Sequence, residues 1–128
     1  MVVLGIGVDV LDLARVRREL ARHGPGLGSR AFTSAEIAAC EGTADPAARY
    51  AELFTAKEAA WKALGLAPPD TGAWRDAEVA TDPAGRRTLL LHGRLRDAAR
   101  RRGADTLALT LSHDRHHAIA CVLATGRT

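Results

Sequence analysis

Lysine is nearly absent from this chain: Lys57 and Lys62 stand against sixteen arginines, and both fall in the run RYAELFTAKEAAWKALG, Arg49 to Gly65. Usage this rich in arginine and alanine reads as a bias that removes lysine wherever a guanidinium serves. Two retained ammonium groups in one segment therefore point to a task for a compact charge on a flexible stem, such as gripping a phosphate. Glu58 stands between them. A second carboxylate, Asp9, follows the glycines of the opening run MVVLGIGVDV. Two carboxylates far apart in sequence, with lysines beside one of them, suit magnesium and phosphate chemistry. A hard ion that keeps several waters takes one or two protein carboxylates and completes its shell with phosphate oxygens. A Ser112-His113-Asp114 turn adds an anion contact and an acid or base.

Each of these groups also has a plain structural reading. Glu58 and Lys62 are spaced i, i+4, as in a surface ion pair worth ~0.2–0.5 kcal/mol. Asp9 is also the kind of residue that ends a strand at the surface, and Ser112 to His117 is also an ordinary polar turn. That turn holds three of the five histidines, but adjacent histidines rarely converge on one ion. Glycine-rich phosphate loops of the nucleotide-triphosphatase kind and GxSxG elbows are absent from the sequence, which sets those classes aside.

The elements that must position these groups follow from periodicity and punctuation. Val2 to Leu11 reads as a strand with Val2, Leu4, Ile6, Val8 and Val10 on one face and Val3, Gly5, Gly7 and Asp9 on the other. Glycines inside a strand mark close approach of a backbone or ligand. Asp12 caps a helix from Leu13 to His23 that Gly24 and Pro25 end. Its core side carries Leu13, Val16 and Leu20. Arg15, Arg18 and Arg22 recur on the opposite side, either as a solvated face or as a docking strip for acidic groups.

Thr33 with Glu36 forms a capping box and Phe32 with Ile37 a hydrophobic staple. Asp45 and Pro46 open the central helix, which Gly65, Pro68 and Pro69 close. On its wheel Tyr50, Leu53, Phe54, Trp61 and Leu64 make an apolar stripe with Lys57 in the middle. The face carrying Glu58 and Lys62 has the small neighbours Ala48, Ala51, Thr55 and Ala59, which leave room for a ligand. Beyond a Gly- and Pro-rich loop, Ala77 to Thr81 and Arg87 to His92 predict a hairpin. A basic helix, Arg94 to Arg102, and two strands, Thr106 to Leu111 and Ala118 to Ala124, complete the chain.

A chain of 128 residues reads as one domain, residues 1–128. No apolar run approaches the ~20 residues of a membrane span, and the first residues lack a basic leader and a cleavage site, so a cytoplasmic protein is expected. Cys40 and Cys121 form neither a disulfide framework nor a zinc cluster. The net charge of +3, gathered in patches, favours an acidic partner over nucleic acid. A basic nucleic-acid module, suggested by Arg15, Arg18, Arg22 and the Arg94 to Arg102 helix, is opposed by the scarcity of aromatics for stacking and by the lack of a binding motif.

With these motifs in order, GIGVDVLDLARV, FTSAE, LFTAKEAAWKALG and LTLSHD, the chain resembles the holo-[acyl-carrier-protein] synthases, the short class of 4′-phosphopantetheinyl transferases. The resemblance spans nearly the whole length. It implies an α+β fold, with an antiparallel sheet packed on helices, and a homotrimer with active sites between subunits. The implied activity is transfer of phosphopantetheine from coenzyme A to a serine of an acidic carrier protein, with Mg²⁺ or Mn²⁺. By position, Asp9 and Glu58 would be the metal ligands and Lys62 would hold the coenzyme A pyrophosphate. Lys57, Ser112 and His113 would touch the nucleotide end, and Arg15, Arg18 and Arg22 would dock the carrier. Proton removal would fall to Glu58, to Asp114 or to a metal-bound water. The chain departs from many relatives at Leu53, where they carry arginine, and in the loop LAPPDTGAW. A non-catalytic relative that only binds carriers is a rival, opposed by retention of both carboxylates and both lysines.

Overall fold

The structure, a computed structural model, describes residues 1–67 and 71–127. Strand β1 (Val2–Asp12) runs straight into helix α1 (Leu13–His23), and a 3₁₀ turn at Pro25–Gly28 leads to α2 (Ser34–Glu41). The long α3 (Pro46–Ala63) follows, then a second 3₁₀ segment (Thr71–Asp76), β2 (Ala77–Thr81), β3 (Arg87–Leu91), α4 (Gly93–Arg101), β4 (Ala104–His113) and β5 (His117–Gly126). One antiparallel sheet has the order β1-β5-β4 and the other is the β2–β3 hairpin. This is the expected α+β arrangement.

The caps expected from sequence organise the helices. The Asp12 carboxylate accepts from the Ala14 amide, Thr33 and Glu36 close a reciprocal capping box, and Asp45 accepts from the Ala48 amide with Pro46 in the first turn. Pro68 and Pro69, expected to help close α3, lie outside the described residues. So do Pro68, Pro69 and Asp70 of the LAPPDTGAW loop. The last two strands run longer than the pattern suggested, so Ser112, His113 and His117 belong to strands and only Asp114 to His116 turn the chain.

The glycine face of β1 is the buried one. A Cβ on Gly5 would sit 1.9 Å from the Ala63 carbonyl oxygen, and one on Gly7 would sit 1.9 Å from that of Ala59. Strand and helix backbones thus meet without side chains between them, which is why this face of the strand carries glycine. The same contact corrects a reading of α3. Ala48, Ala51, Thr55 and Ala59 are buried, so the small face of the helix takes the sheet and leaves no room there for a ligand. Gly7→Ala is expected to lower stability by about 1–3 kcal/mol through overpacking, read as a shift of the urea midpoint. An unchanged midpoint would contradict the backbone contact.

The other face of the sheet is apolar and open. Ile6, Val8, Val10 and Ile119 are 61%, 48%, 55% and 42% exposed. Register places Ile6 beside Leu123, Val8 beside Cys121, and Val10 beside Ile119, so they form one continuous surface.

Candidate active site

Asp9 ends the glycine row of β1 and therefore points to the α3 side of the sheet. Its partner there is Lys62, whose Nζ lies 3.0 Å from Asp9 Oδ1 and 3.3 Å from the Val8 carbonyl oxygen. Glu58, one helical turn before Lys62, shares a hydrogen bond with Asp9. Burial, that hydrogen bond and the Asp9 charge push the Glu58 carboxyl up to about 7, against the opposing charges of Lys62 and Arg15. A second negative charge beside Asp9 is costly, and a divalent cation would offset that cost.

Both carboxylates open on a cavity of about 450 Å³ between β1, α1 and α3. Arg15, Val16 and Glu19 come from α1, Leu27 and Ala31 from the following loop, and Phe32, Tyr50 and Phe54 form its apolar wall. The loop is held by the Tyr50 hydroxyl, which accepts from the Gly26 amide at 2.8 Å and donates to Glu41 at 2.7 Å. Leu27 and Ser29 adopt left-handed backbone angles there, with φ of 51° and 60°. This costs about 1–2 kcal/mol per residue. The sequence hints at that bend only through Gly24, Gly26 and Gly28.

A charged pair of hard oxygen ligands beside a lysine, at the mouth of a half-apolar cavity, suits a phosphate ester with an organic tail. Residues 5–122 match the profile of the 4′-phosphopantetheinyl transferase superfamily. The chain belongs to this superfamily. The transferase is 43% identical over 129 residues to a holo-[acyl-carrier-protein] synthase of Anaeromyxobacter dehalogenans, covering 97% of each chain. To the synthase of Koribacter versatilis it is 36% identical over 121 residues, covering 94% of this chain and 97% of the other.

Its fold matches the crystal structure of holo-[acyl-carrier-protein] synthase from Neisseria meningitidis, with a TM-score of 0.86, 25% identity and 97% and 99% of the two chains covered. It also matches a Chronobacterium ammoniagenes synthase–coenzyme A complex, with a TM-score of 0.81, 28% identity and 97% and 98% covered.

Of the other residues of this transferase singled out from sequence, Arg15 lies with the carboxylates and the rest lie apart. Lys57 is a correction. It is 0% exposed, and its Nζ donates to both Glu36 oxygens at 2.8 and 2.9 Å and to the Ala77 carbonyl at 2.8 Å. With no surface and its donors engaged, it serves the core and cannot contact a coenzyme. Burial pulls its pKa down, and the Glu36 carboxylate opposes that shift. Glu36 in turn accepts from the Thr33 and Val79 amides, so the pair ties α2, α3 and β2 together.

The Ser112 to Asp114 segment lies at the far edge of the sheet. Two strand spacings, roughly 10 Å, separate β4 from β1. Ser112 faces the open apolar side, next to Ile119. His113 does not pair with Asp114 as expected. Its Nδ1 lies 2.8 Å from Glu52 Oε2, and Glu52 also gathers Arg49 and Arg87 at 3.5 Å. Only Arg49, one turn before Glu52 on α3, is a neighbour in sequence; His113 and Arg87 come from distant elements and leave no sequence signal. Asp114 Oδ1 accepts from the His116 and His117 amides, which hold its carboxyl below the usual range. Within one chain, Asp114 is therefore outside the carboxylate cluster. Arg18 and Arg22 are exposed along α1, and Arg15 lines the cavity itself.

Proposed function

We propose that the protein is a holo-[acyl-carrier-protein] synthase. It transfers 4′-phosphopantetheine from coenzyme A to a serine of an apo acyl, polyketide or peptidyl carrier protein, with Mg²⁺, and releases adenosine 3′,5′-bisphosphate. The observation that carries this reading is the Asp9–Glu58 pair beside Lys62 at the mouth of the cavity.

The donor set fits a hard divalent ion. Charge on Glu58, disfavoured beside Asp9, is stabilised when a cation binds, and magnesium is content with one or two protein carboxylates. Asp9 and Glu58 would hold it, and bound there Mg²⁺ supplies charge neutralisation at the pyrophosphate. Lys62, already on Asp9, keeps that carboxylate oriented and presents its ammonium to the same phosphates. The serine oxygen forms the new bond to phosphorus as the bond to the leaving bisphosphate breaks. Of the chain's own candidate bases, Glu58 is the one that lies at the cavity. The apolar wall of Phe32, Tyr50 and Phe54 keeps water from the reacting phosphate.

The open sheet face supports a homotrimer with sites between subunits. A continuous apolar surface of this kind marks an interface, and Ser112 lies on it. His113 and Ser112 are then the groups that meet the nucleotide end of a coenzyme held by a neighbour. Exposed Arg18 and Arg22 suit an acidic carrier.

The test is to incubate the protein with apo carrier, coenzyme A and Mg²⁺ and measure carrier mass. One phosphopantetheine is expected with metal and none in excess chelator; full transfer in chelator sinks the metal role. Lys62→Ala is expected to lower the transfer rate about 10²-fold, the scale of removing one charge stabiliser at the reacting centre, with a smaller change in carrier KM. An effect confined to KM would mean that Lys62 only binds.

A further inference from the structure

The arginines of α1 have unlike surroundings. Arg17 is locked in a forked pair with Asp45, at 2.8 and 3.0 Å. Arg15, Arg18 and Arg22 are all exposed. Arg15 alone among them lines the cavity with Asp9 and Glu58, and its charge acts on the Glu58 carboxyl. The cause is local. The Asp12 cap sets the first turn of α1, and burial of Leu13 and Val16 fixes its rotation, which leaves Arg15 on the rim that faces β1.

Glu19, one turn after Arg15 and in the same cavity wall, pairs with His23 at 3.2 Å. Lys62, the other cation, is committed to Asp9 and the Val8 carbonyl. Among the described residues no hydrogen bond or ion pair holds the Arg15 guanidinium. The rim thus presents two carboxylates, one engaged ammonium and one guanidinium with all its donors available. A planar fork of donors matches phosphate oxygens two at a time, which an ammonium does not.

We propose that Arg15 is a catalytic residue, its guanidinium donating to the non-bridging oxygens of the phosphoryl group in transfer. This rests on the transferase reading above. In the step the carrier serine oxygen bonds to phosphorus and the phosphorus–oxygen bond to the bisphosphate breaks. Its electron pair leaves with the bisphosphate, and the serine proton goes to the base. Charge spread over the equatorial oxygens in the transition state is where a forked cation acts. Such a contact lowers the barrier more than it tightens the ground state.

The experiment measures steady-state transfer by wild type, Arg15→Ala, Arg15→Gln, Arg15→Lys, Arg18→Ala and Arg22→Ala. Melting temperatures and calorimetric coenzyme A affinity without carrier are recorded for each. Arg15→Ala and Arg15→Gln should lower kcat about 10²-fold, with carrier KM and coenzyme A affinity within about threefold. Arg15→Lys should recover part of the loss, because charge returns without the fork. Arg18→Ala and Arg22→Ala should act on carrier KM. If the Arg15 variants instead raise carrier KM at unchanged kcat, Arg15 only docks the carrier and the proposal is overturned. A fall in kcat matched by lowered melting temperature in all three Arg15 variants overturns it as well. Wild type that transfers nothing overturns the transferase reading and this proposal with it. Active wild type matched by Arg15→Ala overturns the role of Arg15 alone.

Discussion

Glu58→Gln is expected to cut phosphopantetheine transfer by about 10³-fold, the upper scale for losing one principal charge stabiliser, while the protein stays folded. Glu58 is partly exposed at the cavity mouth and belongs to no apolar stripe. The amide preserves its shape but removes the negative charge that a hard cation needs.

Stability gives an independent readout. The Glu58 carboxyl is raised to about 7 in the folded protein, whereas a free glutamate titrates near 4.5, so the folded state binds the extra proton between those values. Stability linked to this group is therefore present below about pH 4.5 and is lost as pH rises through about 7. For a half-exposed carboxyl the effect is on the order of 1 kcal/mol after allowance for solvent. In chelator, the melting temperature of wild type should fall across that window, Glu58→Gln should not show the fall, and Mg²⁺ should flatten it for wild type. A variant that melts far below wild type at every pH would make Glu58 structural.

Lys57→Met is expected to be the most damaging single change to stability. It strips the cation from a carboxylate with no exposed surface and leaves the Trp74 and Ala77 carbonyls without their donor. Breaking a buried pair from one side costs about 3–5 kcal/mol. For a chain of this size that is a fall of about 10–20 °C in melting temperature. Adding Glu36→Gln should recover part of the loss, because the orphaned charge disappears, although only one of the Thr33 and Val79 amides then keeps an acceptor. Coenzyme A KM of the folded fraction should match the parent. An unchanged melting temperature with lost coenzyme affinity would return Lys57 to the substrate.

The sequence alone determined what depends on neighbours along the chain. Asp12, Thr33 with Glu36, and Asp45 announced three helix starts because capping is an exchange between residues two or three apart. Gly5 and Gly7 announced a close approach, and the residue types Asp9, Glu58 and Lys62 announced phosphate chemistry. What lies across from a residue was not legible. Periodicity gives an angle around an axis and says nothing of what packs there. Lys57 and Lys62 share a helix, yet one faces Glu36 in the core and the other faces Asp9 at the cavity.

The same limit applies to β1, where alternation separated Ile6, Val8 and Val10 from the glycine face without saying which side is buried; they are exposed because α3 needed the glycine side to reach the backbone. His113 was bound to look like a partner of Asp114 when only adjacency was visible. The fold carries it to Glu52, because His113 ends strand β4 on the α3 side while Asp114 begins the turn and is held by the His116 and His117 amides. Tertiary structure alone decided which of two like charges meets the core and which meets the Asp9 carboxylate, since a buried charge must find its partner wherever the chain returns.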